Sequence, residues 1–292
     1  MVEQSPRSEF VKKLEVNWTK GNFVCVGLDT DYAQMPETAK RSKSPSDDVF
    51  HFNAEIIDAT ADLVCAYKPN VAFYEASGNE GMKALRESIK YIKDSYPDIP
   101  VILDAKRGDI GNTNMGYVQA TFDKSELDAD AITVHPYLGK EAMKPFLERA
   151  DKGVIVLVRT SNPGAGEFQD LPVGQKQEPL YQAIARNVAQ SWNTNGNCGV
   201  VVGATYPDEL AEVRTIIGDM PILIPGIGAQ GGDIEATVRA GKNSNARGII
   251  LSSSRGIIYA SKNADYTQAA RKATVTLHDL VNLSLTTRED LV

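Results

Sequence analysis

The hexapeptide Asp104-Ala105-Lys106-Arg107-Gly108-Asp109 sets four ionisable side chains at close spacing behind the apolar run Pro100-Val101-Ile102-Leu103. The apolar run reads as a buried parallel strand. Side chains alternate along a strand, so Asp104 and Lys106 share a face, Arg107 points the other way, and Asp109 lies just past the end. A carboxylate beside an ammonium at a strand end is costly unless the two are paired or working. Fixed charges of this kind can stabilise developing charge or deliver a proton. The plainer alternative is an ion pair that caps the strand.

Other strand ends repeat the pattern. Asp29 follows Phe23-Val24-Cys25-Val26-Gly27-Leu28, Lys68 follows Leu63-Val64-Cys65-Ala66-Tyr67, and His135 follows Ala131-Ile132-Thr133-Val134. Arg159-Thr160-Ser161 follows Val154–Val158, and Ser252-Ser253-Ser254-Arg255 follows Gly248–Leu251. Any one of these could be a solvated loop residue. His135, beside Pro136 and Tyr137, also reads as a simple hydrogen-bond partner of a neighbouring loop. Pro225-Gly226-Ile227-Gly228-Ala229-Gln230-Gly231-Gly232-Asp233 follows the strand Ile222–Ile224 and opens a helix. Glycines there let backbone N–H groups approach an anion, and a helix N-terminus favours it. Arg255 can add a bidentate grip on phosphate. The glycine spacing resembles a dinucleotide fingerprint, but it comes late in the chain and lacks an acidic partner at the next strand end. No Gly-Lys-Ser/Thr end of a P-loop is present.

The elements that must position these residues alternate from end to end. Eight strands are predicted, those above together with Gly199–Val202. Helical patterns fall between them, over about 47–61, 80–95, 179–193 and 263–285. This is the pattern of an α/β fold, a (β/α)8 TIM barrel, forming a single domain over 1–292. A doubly wound open sheet is the competing arrangement. In a barrel all the polar strand ends converge on one mouth, and the phosphate signal sits after strands seven and eight, where the fold usually binds phosphate. Two connections, 30–46 and 162–178, are longer than a turn needs and would wall or cover that mouth. The second is rich in Gly and Pro, which suggests mobility.

Composition excludes several classes. A net charge of −7 with no Lys/Arg-rich run argues against nucleic acid as a partner. No segment approaches the roughly 18 apolar residues of a membrane span. The polar start Met1-Val2-Glu3-Gln4-Ser5-Pro6 lacks the apolar core of a secretory signal, so a cytoplasmic location is expected. Cys25, Cys65 and Cys198 fall in strand-like runs without metal-ligand spacing and read as core thiols in a reducing compartment.

Taken together these motifs closely resemble the orotidine 5′-monophosphate decarboxylase family, over about residues 23–260. Asp104-Ala-Lys106-Arg-Gly-Asp109-Ile110 matches its Asp-x-Lys-x-x-Asp-Ile/Val signature. Leu28-Asp29, Lys68, Thr113, Ser161-Asn-Pro-Gly-Ala, the Gln230 segment and Ser254-Arg255 complete the match, and the extended loops resemble the longer, type 2-like branch. The resemblance implies conversion of orotidine 5′-monophosphate (OMP) to uridine 5′-monophosphate (UMP) and carbon dioxide, the last step of de novo UMP synthesis, without metal or organic cofactor. It implies that Asp29 and Lys68 bind ribose hydroxyls, and that Lys68, Asp104, Lys106 and Asp109 form a charged network with Lys106 as proton donor. It further implies that Ser161 meets the pyrimidine edge and that Gln230 and Arg255 hold the phosphate. Asp109 and Thr113 would come from the partner in a homodimer with shared sites. Two rivals are a Mg²⁺-dependent sugar-phosphate decarboxylase (keto-gulonate phosphate type) of the same superfamily and a non-catalytic barrel that senses a phosphorylated ligand. Gln230 and the Ser161 segment favour the pyrimidine reading.

Overall fold

The computed structural model describes residues 6–227 and 233–286. Eight parallel strands form its centre: β1 (Val24–Gly27), β2 (Val64–Lys68), β3 (Ile102–Arg107), β4 (Ala131–Val134), β5 (Gly153–Arg159), β6 (Cys198–Val202), β7 (Ile222–Pro225) and β8 (Ile249–Ser253). Their hydrogen-bonded order is β2-β1-β8-β7-β6-β5-β4-β3. Parallel bridges Tyr67–Val101 and Asn70–Asp104 stitch the two outer strands together. Across that seam Tyr67 N donates to Pro100 O (3.1 Å) and Asp104 N to Pro69 O (3.0 Å). The sheet therefore curls into a barrel, and the open-sheet alternative is set aside.

The strands are runs of Val, Ile and Leu because helices cover the outside and side chains fill the inside. Val24, Val64, Ile102, Ile132, Val154, Val200, Ile222 and Ile249 are fully buried. Each such side chain contributes about 1.5–3 kcal/mol through removal from water. The helices follow the sequence pattern with modest shifts. Pro45–Thr60 starts where Ser44 caps it, its Oγ accepting from Asp47 N, with Pro45 at the first position. Gly78–Ser95 turns Ala84, Leu85, Ser88, Ile89 and Ile92 inward. The helix expected over 179–193 is α-helical only for Leu180–Asn187 and continues as a π-helical turn to Trp192. An unexpected helix, Glu9–Thr19, crosses the base of the barrel, where Trp18 Nε1 donates to Ile249 O (2.9 Å) at the start of β8.

One strand departs from the sequence reading in a way that matters. β3 runs through Arg107, as the alternation implies, but it is not regular: its register against β4 shifts between Leu103 and Arg107. Lys106 takes φ +47° there. Both long connections carry structure of their own. The segment after β1 holds two short 3-10 turns, and the segment after β5 holds the helical turn Gly166–Gln169 and a small hairpin, Pro172–Val173 with Glu178–Pro179.

Candidate active site

Asp29, Lys68, Asp104 and Lys106 meet at the C-terminal ends of β1, β2 and β3. Asp104 Oδ1 accepts from Lys106 Nζ at 2.7 Å and its Oδ2 from Lys68 Nζ at 3.2 Å. Lys68 Nζ also lies 3.7 Å from Asp29 Oδ1. The signs alternate along the row. Lys68 and Asp104 are buried, whereas the Lys106 side chain is 49% exposed and faces the mouth. Burial alone would lower the Lys68 pKa, but the carboxylates of Asp29 and Asp104 outweigh it and hold the ammonium above the usual lysine range. Burial alone would raise the Asp104 pKa, but Lys68, Lys106 and the Thr133 hydroxyl hold it well below the usual carboxylate range. Both groups are therefore charged at neutral pH. Asp29 Oδ1 is buried and has no hydrogen-bond partner among the described residues. An oxygen in that state suits a ligand hydroxyl, because buried acceptors are normally satisfied.

The backbone explains the placement. Thr133 on β4 donates its hydroxyl to Asp104 Oδ1 (2.8 Å) and accepts from Ala105 N (3.1 Å) and Lys106 N (3.0 Å). That single oxygen replaces the ladder bonds lost at the register shift and holds Lys106 at its positive φ. Asp29 is fixed from both sides. Tyr74 OH donates to Leu28 O (2.7 Å), and Thr30 Oγ1 bonds Asn53 Oδ1 (2.6 Å). One residue further on, Asp31 N donates to Tyr259 OH (2.7 Å).

The other expected site residues divide into three groups. Asp109 lies beyond β3, and among the described residues it makes no ion pair with Lys106. Its Oδ1 accepts from Ile110 N (2.7 Å), and its backbone N donates to Asn114 Oδ1 (3.0 Å). Thr113 is exposed on the adjoining helix Gly111–Phe122. His135 Nε2 lies 3.1 Å from Gly108 O, so it supports the turn that carries Asp109. Ser161 is half-buried just past β5. Arg255 opens the short helix Arg255–Ile258 after β8 and is exposed. Gln230 lies outside the described residues. Beyond that gap, Asp233 caps the helix Ile234–Gly241, its Oδ1 accepting from Ala236 N (3.1 Å), so this helix N-terminus opens on the β7 side of the mouth.

Thr133 and Asn114 were not singled out in the sequence. Thr133 reads as one more β-branched strand residue, and Asn114 as an ordinary helix position. A cleft of about 650 Å³ lies at the opposite end of the barrel, lined by Trp18, Cys198, Pro221 and Arg247 among others. It shares no residue with the charged row, and in this fold chemistry sits at the C-terminal face. Among the described residues no group of three or more His, Cys, Asp or Glu side chains could hold a metal ion. Both Asp104 oxygens are already engaged by lysine ammonium groups.

Residues 22–273 match the family described as orotidine 5′-phosphate decarboxylase / HUMPS. The orotidine 5′-phosphate decarboxylases of Cellvibrio japonicus and Ralstonia pickettii are each 48% identical, over 94% of this chain and 98% of their own length. Among solved structures, Leishmania donovani OMP decarboxylase superposes with a TM-score of 0.81 at 36% identity, covering 96% of this chain and 99% of that one. A putative orotidine-monophosphate decarboxylase from Toxoplasma gondii gives 0.79 at 37% identity over 96% and 99%. The chain belongs to the orotidine 5′-phosphate decarboxylase / HUMPS family.

Proposed function

We propose that the barrel mouth converts OMP to UMP and carbon dioxide, with Lys106 as the proton donor at C6 of the pyrimidine. This is a step of pyrimidine biosynthesis. The observation that carries the reading is the row Asp29–Lys68–Asp104–Lys106, in which a solvent-facing ammonium is held 2.7 Å from an ionised, buried carboxylate. Breaking the C6–carboxylate bond leaves an electron pair on C6. The Lys106 ammonium opposes that charge and then transfers its proton to C6, after which the neutral amine regains a proton from water. Asp104, 2.7 Å from the Lys106 ammonium, sets its direction.

Asp104 would also face the substrate carboxylate. At about 4 Å and an effective dielectric near 20 that repulsion is on the order of 4 kcal/mol, which is up to about three decades of rate if fully relieved. Charge stabilisation by Lys106 is the larger contribution, since preorganised groups aimed at developing charge dominate such sites. Asp29 and Lys68 take the ribose hydroxyls, Ser161 the pyrimidine edge, and Gln230 with Arg255 the phosphate. Binding energy from the phosphate offsets strain at the reacting carbon.

The same proposal includes a homodimer in which Asp109 and Thr113 serve the partner's mouth. Ile110 (64% exposed) and Met115 (43%) flank Thr113, and Tyr137 (89%) and Leu138 (43%) follow β4. Apolar residues exposed together mark an interaction surface. The free thiols Cys25, Cys65 and Cys198, all buried, accord with work in the reducing cytoplasm. Incubating the chain with OMP and following loss of orotate absorbance and release of carbon dioxide tests the activity. Turnover that survives a chelator supports it, and no turnover by folded protein overturns it.

A further inference from the structure

Arg159 ends β5, yet its side chain is only 3% exposed. Its guanidinium carbon stacks 4.1 Å from the ring centre of Tyr206, on the loop after β6. Nη2 donates to Asp170 Oδ2 (3.1 Å) and Nη1 to Gln169 Oε1 (3.4 Å). Gln169 is in turn tied to Thr160: its Oε1 accepts from Thr160 N (2.8 Å) and its Nε2 donates to Thr160 Oγ1 (2.9 Å). One arginine thus joins the chain leaving β5 to residues ten and eleven positions further on, and both to the next loop.

Ser161 sits at the foot of the arch so formed. Gly203 lies directly against it: a Cβ on Gly203 would fall 2.6 Å from Ser161 Cβ. Gly203 N also donates to Arg159 O (2.8 Å). At the far foot a Cβ on Gly166 would fall 2.6 Å from Asp170 Oδ2, so glycine there leaves the carboxylate room to turn toward Arg159. Arg159 Nε is buried and has no hydrogen-bond partner among the described residues. Stability alone would favour an apolar residue in place of a buried, incompletely satisfied charge.

We infer that Arg159 is a positioning residue for pyrimidine recognition: through Gln169, Asp170 and Tyr206 it holds the 160–170 arch so that Ser161 meets the base edge, and it touches no part of the nucleotide. This rests on the assignment of Ser161 to the base, made above. The arch acts on the base and leaves the phosphate and ribose contacts, which come from other strands, as they are.

The test compares affinities for UMP and for ribose 5-phosphate, which lacks the base, in the full chain and in Arg159→Lys, Asp170→Asn and Ser161→Ala. Asp170 is nearly half exposed, so Asp170→Asn preserves the fold even if Arg159→Lys does not. Loss of one charge-assisted bond corresponds to about tenfold. Asp170→Asn and Arg159→Lys should therefore weaken UMP by about tenfold and ribose 5-phosphate by less than about twofold, with the loss in OMP turnover falling on KM rather than kcat. Unchanged UMP affinity in both variants overturns the inference. So does equal weakening of both ligands, which would mark a general distortion of the mouth. If Ser161→Ala leaves UMP affinity intact, the assignment of Ser161 fails. If Ser161→Ala weakens UMP while the other two variants do not, only the role of Arg159 fails.

Discussion

Replacing Thr133 with Val removes one oxygen and little volume from a site that is 1% exposed. Three bonds go with it: the one donated to Asp104 Oδ1 and the two accepted from Ala105 N and Lys106 N. A hydrogen bond to a carboxylate contributes about 1.5–3 kcal/mol. Ala105 is half-buried and Lys106 exposed, so water can reach their amides and the further loss is small. The expected fall in stability is about 2–4 kcal/mol. Catalysis should suffer as well, because Thr133 holds Lys106 in a backbone conformation that costs about 1–2 kcal/mol. Once released, residue 106 relaxes and its ammonium leaves the place set by Asp104. A misplacement worth about 1.4–2.7 kcal/mol in the transition state lowers kcat about ten- to a hundredfold. Thr133→Ser keeps the oxygen and should retain most of both properties. Urea unfolding and initial rates with OMP measure the two effects. Thr133→Val with kcat within about twofold of the parent and stability within about 0.5 kcal/mol would refute this reasoning.

Arg255→Ala should raise KM for OMP by about ten- to a hundredfold, with a much smaller change in kcat, as expected for loss of a bond to phosphate. Asp104 is held below the ordinary carboxylate value near 3.9, so its stabilisation is present above that pH and is lost as pH falls below it. Asp104→Asn should therefore flatten the acid limb of the stability curve, read by denaturant unfolding between about pH 5 and pH 2. Lys68 is held above the ordinary lysine value, so its stabilisation is present below that value and is lost as pH rises through the raised one. Lys68→Met should cost about 3–5 kcal/mol at neutral pH and remove the alkaline loss, by the same unfolding assay. Mixing Lys106→Ala with Asp109→Asn proteins, each inactive alone, should restore activity in about a quarter of the mouths if Asp109 serves a neighbouring copy. No recovery after subunit exchange would remove the shared-site proposal.

The barrel was legible because its strands are short continuous apolar runs, the pattern of strands covered on both faces, in regular alternation with helical segments. The charged row was legible for a related reason: Asp29, Lys68, Asp104 and Lys106 interrupt those runs at their ends, where ionisable residues stand out. What holds them was not. Thr133 differs from its strand neighbours by one hydroxyl, and its three bonds reach residues 27 to 29 positions away. The β3 register shift is invisible to a two-residue alternation, which assumes a regular strand. Arg159 was legible as a polar strand end, but its partners Asp170 and Tyr206 lie in separate loops. Helix Glu9–Thr19 escaped because its inward residues Phe10, Leu14 and Trp18 are interleaved with Lys and Glu in a short segment.

Lys106→Ala, measured for carbon dioxide release from OMP alongside binding of UMP, bears most directly on the chemistry. If Lys106 both stabilises the C6 charge and donates the proton, turnover falls by at least about 10³-fold while UMP affinity stays within about tenfold. A folded Lys106→Ala protein that binds UMP and still turns over OMP within about tenfold of the parent rate would contradict that role.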